Sequence, residues 1–149
     1  RQARCPCSGS CHGAPPVRFT GEAAGLPKTE QTIIIQMAVE IGVPATFLAA
    51  IRIAENGRAG REYGVLSEAA DTYEAQCRIA ALSIRNNCFR YVARFKEWPV
   101  DSQGRLSEAF TRFMATRYAP IGTTNDPTNL NQHWVKNVWR VFTGSGVAS

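Results

Sequence analysis

Apolar residues recur at helical spacing through most of the chain. The stretch "TEQTIIIQMAVEIG", from Thr29, predicts a short helix closed by Gly42. Pro44, at a first-turn position, opens "PATFLAAIRIAENG", a second helix stopped by Gly57. From 57 to 70 the period is lost, and the glycines and "REYGVLS" predict a hairpin or tight loop. Within it "YGVLS" is expected to direct Leu66 inward and its neighbours outward. The longest stripe follows, through Tyr73, Cys77, Ala80, Ala81, Ile84, Cys88, Tyr91, Val92 and Phe95. Asp71 with Glu74 has the spacing of a capping pair for this helix, and Pro99 ends it. Ser107 caps a fourth helix carrying Phe110, Phe113, Met114 and Tyr118 on one side. After the turn-rich "APIGTTNDPTN", a last helix carries Leu130, Trp134, Val138 and Val141. The fold class expected is mainly α, about five helices with one small hairpin or loop after the second.

The two ends lack this pattern. Residues 1–28 are rich in cysteine and proline and read as an extended arm, neither helix nor strand. Residues 29–142 form the folded domain, and "TGSGVAS", 143–149, reads as a flexible tail. A chain of 149 residues suits one compact domain with a real core. No apolar stretch approaches the roughly 20 residues that cross a bilayer, so no membrane span is expected. The amino end has no basic start followed by an apolar block, so no signal peptide is expected either. The net charge of +5 is spread along the chain without basic runs interleaved by aromatics, which argues against a nucleic-acid partner. It suits a polyanionic partner in general.

The five cysteines fall in two groups. Cys5, Cys7 and Cys11, with His12, have the ligand types of a tetrahedral zinc site at cramped spacing. A structural zinc in the arm, a disulfide, and free thiols all stay open. Cys77 and Cys88 share a helical stripe, roughly 16 Å apart along its axis, and cannot bridge each other. Buried thiols are the default there.

One charge is out of place. Leu48, Ile51 and Glu55 share a helix face with Phe47 and Ala54, so Glu55 is carried toward the core at the carboxyl end of its helix. Burial and the negative end of the helix dipole both disfavour its charged form. A glutamic acid that keeps its proton near neutral pH can give it to a leaving oxygen. The alternative is that Glu55 curls outward and pairs with Arg52, Arg58 or Arg61.

The order of parts resembles the lysozyme-like superfamily of peptidoglycan glycosidases: goose-type lysozymes, lytic transglycosylases and phage endolysins. The resemblance covers roughly residues 29–142 and rests on "AIRIAENG", "YGVLS" (63–67), the long helix "TYEAQCRIAALSIRNNCFRYVARF" and "RYAPIGTTNDPTNLNQHWVKNV". "GVLS" departs from the commoner "GLMQ", which would shift the polar role of Gln to Ser67. The resemblance implies an α+β lysozyme-like fold and cleavage of the β-1,4 link between N-acetylmuramic acid and N-acetylglucosamine. Glu55 would be the general acid and base of a phage-type lytic transglycosylase, needing no cofactor for catalysis. A hydrolase using Glu55 and a positioned water is the nearest alternative, since Glu62, Glu68, Asp71 and Asp126 offer no convincing second carboxylate. Substrate contacts are expected from Tyr63, Ser67, Tyr118, Asn125, Asn129 and Gln132, with the Tyr118 hydroxyl near the cut bond, while Trp134 and Trp139 read as core. The implied partner is bacterial peptidoglycan, met at the wall from the periplasm, the exterior or a virion, within a larger phage polypeptide or assembly. A non-catalytic tail component with a lysozyme-like fold is the competing class.

Overall fold

The computed structural model describes residues 18–121 and 130–148. Five α-helices account for most of them: α1 (Lys28–Ile41), α2 (Ala45–Glu55), α3 (Tyr73–Phe95), α4 (Glu108–Tyr118) and α5 (Trp134–Thr143). The expected mainly-α class is therefore observed, and short 3-10 turns precede α1 (Glu22–Gly25) and α5 (Leu130–His133). Among the described residues no helix is long and apolar enough to cross a membrane.

The helix boundaries follow local chemistry, with small corrections. Gly42 closes α1 in the left-handed conformation, and its N–H and that of Val43 both donate to Ala38 O. Pro44 is the residue before α2 and not its first, so it supplies the first accepting carbonyl, to Leu48. α2 stops at Asn56, one residue before Gly57, because asparagine also tolerates the left-handed cap (φ 46°). Thr72, not Asp71, caps α3: its Oγ1 accepts from Ala75 N at 3.1 Å. Ser107 caps α4 as expected, accepting from Phe110 N at 3.0 Å.

The hairpin-or-loop after α2 is a loop; residues 56–72 contain no strand. The strands lie elsewhere. β1 (Arg18–Gly21) and β2 (Ser145–Ala148) pair antiparallel, Arg18 opposite Ala148 and Gly21 opposite Ser145. Both fall where the sequence predicts an arm without strand and a flexible tail. Phe19 is buried between them and the helices, and Ser145 Oγ accepts from Ala23 N at 3.1 Å. An ion pair between Arg140 and Glu22 adds a third tie. The burial of one aromatic ring, worth about 1.5–3 kcal/mol, is what orders segments with little propensity of their own.

α2 is the hub of the core and packs on α1, α3 and α5. Its residues Phe47 to Ile51 are all fully buried. Phe47 meets Phe142 of α5 edge-on at 5.1 Å and Phe110 of α4 at 5.9 Å. Cys77 and Cys88 are buried in α3, as their stripe predicts. A helix anchored on three sides holds its last residue in a fixed place, and that residue is Glu55.

Candidate active site

Glu55 lies one turn beyond Ile51, so the face that buries Phe47, Leu48 and Ile51 also carries its side chain inward. The outward-curling alternative does not hold. Arg52 turns back to Glu30 of α1 at 2.8 Å, and Arg61 donates to the carbonyls of Gly60 and Ala70. No ion pair among the described residues includes Glu55. Its polar partner comes from α5: Trp134 Nε1 donates to Glu55 Oε2 at 2.8 Å.

The loop after α2 closes the other side. Gly64 adopts φ +73°, and a Cβ built there would overlap Glu55 Oε1 and stand 2.7 Å from its Cδ. Only glycine lets the backbone lie so close to the carboxyl. Burial raises the Glu55 pKa to about 7, with the Trp134 hydrogen bond pulling the other way. The negative end of α2 acts in the same direction as burial. The result is a carboxylic acid that stays protonated up to neutral pH.

Tyr118 ends α4 beside this group. Its ring lies 5.5 Å from that of Trp134, tilted by 36°. Its hydroxyl donates to Tyr63 O at 2.5 Å, so its proton is engaged with the loop backbone. Burial, and then the nearby Glu55 charge, push the Tyr118 phenol well above its ordinary range.

The other expected contacts divide. Tyr63 is fully buried and its hydroxyl shares a 2.7 Å hydrogen bond with that of Tyr73, so its ring packs beneath the loop and is not a face for a sugar. Leu66, expected inward, is instead 59% exposed on the loop's outer side. Ser67 is exposed on the same loop, and Gln132 is exposed in the turn before Trp134. Asn125, Asp126 and Asn129 lie outside the described residues, as do Cys5, Cys7, Cys11 and His12 of the candidate zinc cluster. Among the described residues no group of three or more His, Cys, Asp or Glu is placed to hold a metal.

Two residues belong to the site that the sequence did not single out for it. Trp134, expected in the core, is indeed 4% exposed, but its indole N–H is what reaches Glu55. A buried indole needs an acceptor, and Glu55 was the unassigned charge on a buried face. Gln76 is a fully buried amide beside the apolar stripe of α3, and its side chain holds the 63–70 loop. A polar residue on a buried stripe signals a committed hydrogen-bond set. No protein-family model, no curated protein and no solved structure matches this chain. The chemistry of the site therefore rests on its geometry.

Proposed function

We propose that the protein is a peptidoglycan-cleaving glycosidase in which Glu55 donates a proton to the bridging oxygen between N-acetylmuramic acid and N-acetylglucosamine. The observation that carries this reading is the Glu55 carboxyl itself: half-buried at a helix end, outside every ion pair among the described residues, and held near a pKa of 7. General acids work best when their pKa lies near the working pH. The sequence resemblance to lysozyme-like glycosidases supplies the substrate class.

The lytic transglycosylase route is preferred. Glu55 protonates the bridging oxygen as the bond from the muramic anomeric carbon breaks. The carboxylate left behind then takes the proton of the muramic 6-hydroxyl, whose oxygen bonds to that carbon and closes an anhydro ring. No water is consumed, and the carboxyl returns to its starting form. In support, the Glu62 carboxyl is turned to its own loop, where Oε2 accepts from Gly60 N at 3.1 Å, and Glu68 and Asp71 are exposed. Among the described residues neither arrangement offers a second carboxylate for a hydrolase; Asp126 lies outside them.

Digestion of purified cell wall by the parent and by Glu55→Gln tests the proposal, with circular dichroism to verify the fold. The parent should clear the suspension and release fragments one water lighter than hydrolysis gives. Glu55→Gln should lose about 10²–10⁴-fold in rate. Hydrated reducing ends would select the hydrolase, with Glu55 and a positioned water. A parent that leaves the wall intact would select the non-catalytic tail component.

A further inference from the structure

The loop between α2 and α3 has no strand partner, yet its middle is held by a single side chain. Gln76, in the first turn of α3, is fully buried. Its Oε1 accepts from the backbone N–H groups of Tyr63 and Val65, both at 3.2 Å. Its Nε2 donates to the carbonyls of Val65 at 2.8 Å and Ala70 at 2.5 Å. A primary amide has two donors and one oxygen with two lone pairs, so every valence is used. Val65 is met at both its N–H and its C=O, as a neighbouring strand would meet it. Tyr63 is pinned a second time by the Tyr118 hydroxyl on its carbonyl. Between these two anchored residues stands Gly64, whose backbone covers the Glu55 carboxyl.

We infer that Gln76 is the positioning residue of the site: it holds Gly64 against Glu55 and keeps water from that side of the carboxyl. Its effect on activity rests on the proposed role of Glu55; its effect on how Glu55 titrates does not. Glu55 is faced by Trp134 from α5, by Tyr118 from α4 and by Gly64 from the loop, while Arg52 on its own helix is engaged with Glu30. Behind them, burial holds the phenols of Tyr63 and Tyr73 far above neutrality and the Cys77 thiol at about 11. His133, next to Trp134 in the chain, is exposed. Among Glu55, Tyr63, Tyr73, Cys77 and Tyr118, Glu55 is thus the group that changes charge near neutral pH.

Gln76→Asn keeps the amide but withdraws it by about one bond length, and Gln76→Met keeps the length without hydrogen bonds; neither adds a charge. The test is a carbon-13 NMR titration of the Glu55 carboxyl in the parent and both variants, with wall-cleaving rates measured across pH. In the variants Glu55 should titrate at least about one pH unit lower, as water reaches it. The fall in rate with rising pH should move down by the same amount. A misplacement of about 1 Å costs on the order of 10²-fold in rate, so the neutral-pH rate should fall by about 10- to 100-fold. A folded variant whose Glu55 titrates as in the parent would overturn the inference. Should neither variant fold, amide exchange in the parent decides: Tyr63 and Val65 N–H must exchange at least about tenfold more slowly than Leu66 and Ser67, and equal rates would overturn the clamp. A parent that titrates as expected but leaves cell wall intact would defeat the glycosidase reading and not this one.

Discussion

Trp134 Nε1 donates to Glu55 Oε2 at 2.8 Å, joining residues 79 positions apart in the chain. The bond crosses from the first turn of α5 to the last turn of α2, the two helices that share the Phe47–Phe142 contact. Among the described residues it leaves Oε1, on the Gly64 side, as the oxygen to which no side chain donates. A residue from the far end of the fold thus orients the carboxyl and moderates a proton affinity that burial raises.

Trp134→Phe removes this donor and keeps an aromatic ring against Tyr118. The indole N–H stabilises the carboxylate, so its loss should raise the Glu55 pKa above about 7. A proton donor with a higher pKa stays protonated to higher pH. The basic limb of the rate profile should move up by about one pH unit, equivalent to about 1.4 kcal/mol. A limb that stays in place or moves down would show that the bond does not govern the acid.

Burial of Glu55 also has a stability signature. Its folded pKa, about 7, exceeds the ordinary carboxyl value of 4.5, so the folded state holds the proton more tightly. Stability should be fully present below about pH 4.5 and fall as pH rises through 7, by up to about 3 kcal/mol. Glu55→Gln carries no such penalty. Chemical denaturation of both proteins should show the variant gaining on the parent between about pH 4.5 and 7, with a constant difference above that range. A difference independent of pH would mean that Glu55 titrates as an ordinary exposed carboxylate.

Gly64→Ala places a methyl where Glu55 Oε1 now stands, at a φ that L-residues adopt only at a cost of about 1–2 kcal/mol. The loop must retreat from the carboxyl. Stability should drop by about 2 kcal/mol or more in urea denaturation, and wall-cleaving activity should fall with it. A variant within about 0.5 kcal/mol of the parent would show that the loop does not bear on Glu55.

Glu62→Gln and Glu68→Gln should both retain activity within about threefold of the parent, with unchanged products. The amide oxygen introduced at position 62 can still accept from Gly60 N, and Glu68 is exposed. Mass spectrometry of the digests checks both points. Loss of activity in either variant, with the fold intact, would identify a second catalytic carboxylate and a hydrolase.

Much of the scaffold was legible as sequence because helices obey a short-range rule. The 3.6-residue period marks the stripes of α1 to α5, and Ser107 marks its cap within three residues of its partner. The same rule carries Glu55 to the buried side of α2, since Ile51 is one turn away. What it cannot reach is any relation between elements. Trp134 and Gln76 each look like one more residue on a helix until packing brings α5 to the end of α2 and α3 beneath the 63–70 loop. The pairing of Arg18–Gly21 with Ser145–Ala148 depends on both ends meeting at Phe19, and neither strand has a pattern of its own. Tyr63 and Leu66 went to opposite sides from those expected because tertiary hydrogen bonds from Gln76 and Tyr118, and not an alternating strand, decide how that loop faces. Local periodicity put Glu55 on the core face of α2 and left its outward alternative open. Its surroundings came from the packing of distant elements, because a proton's affinity is set by neighbours in space.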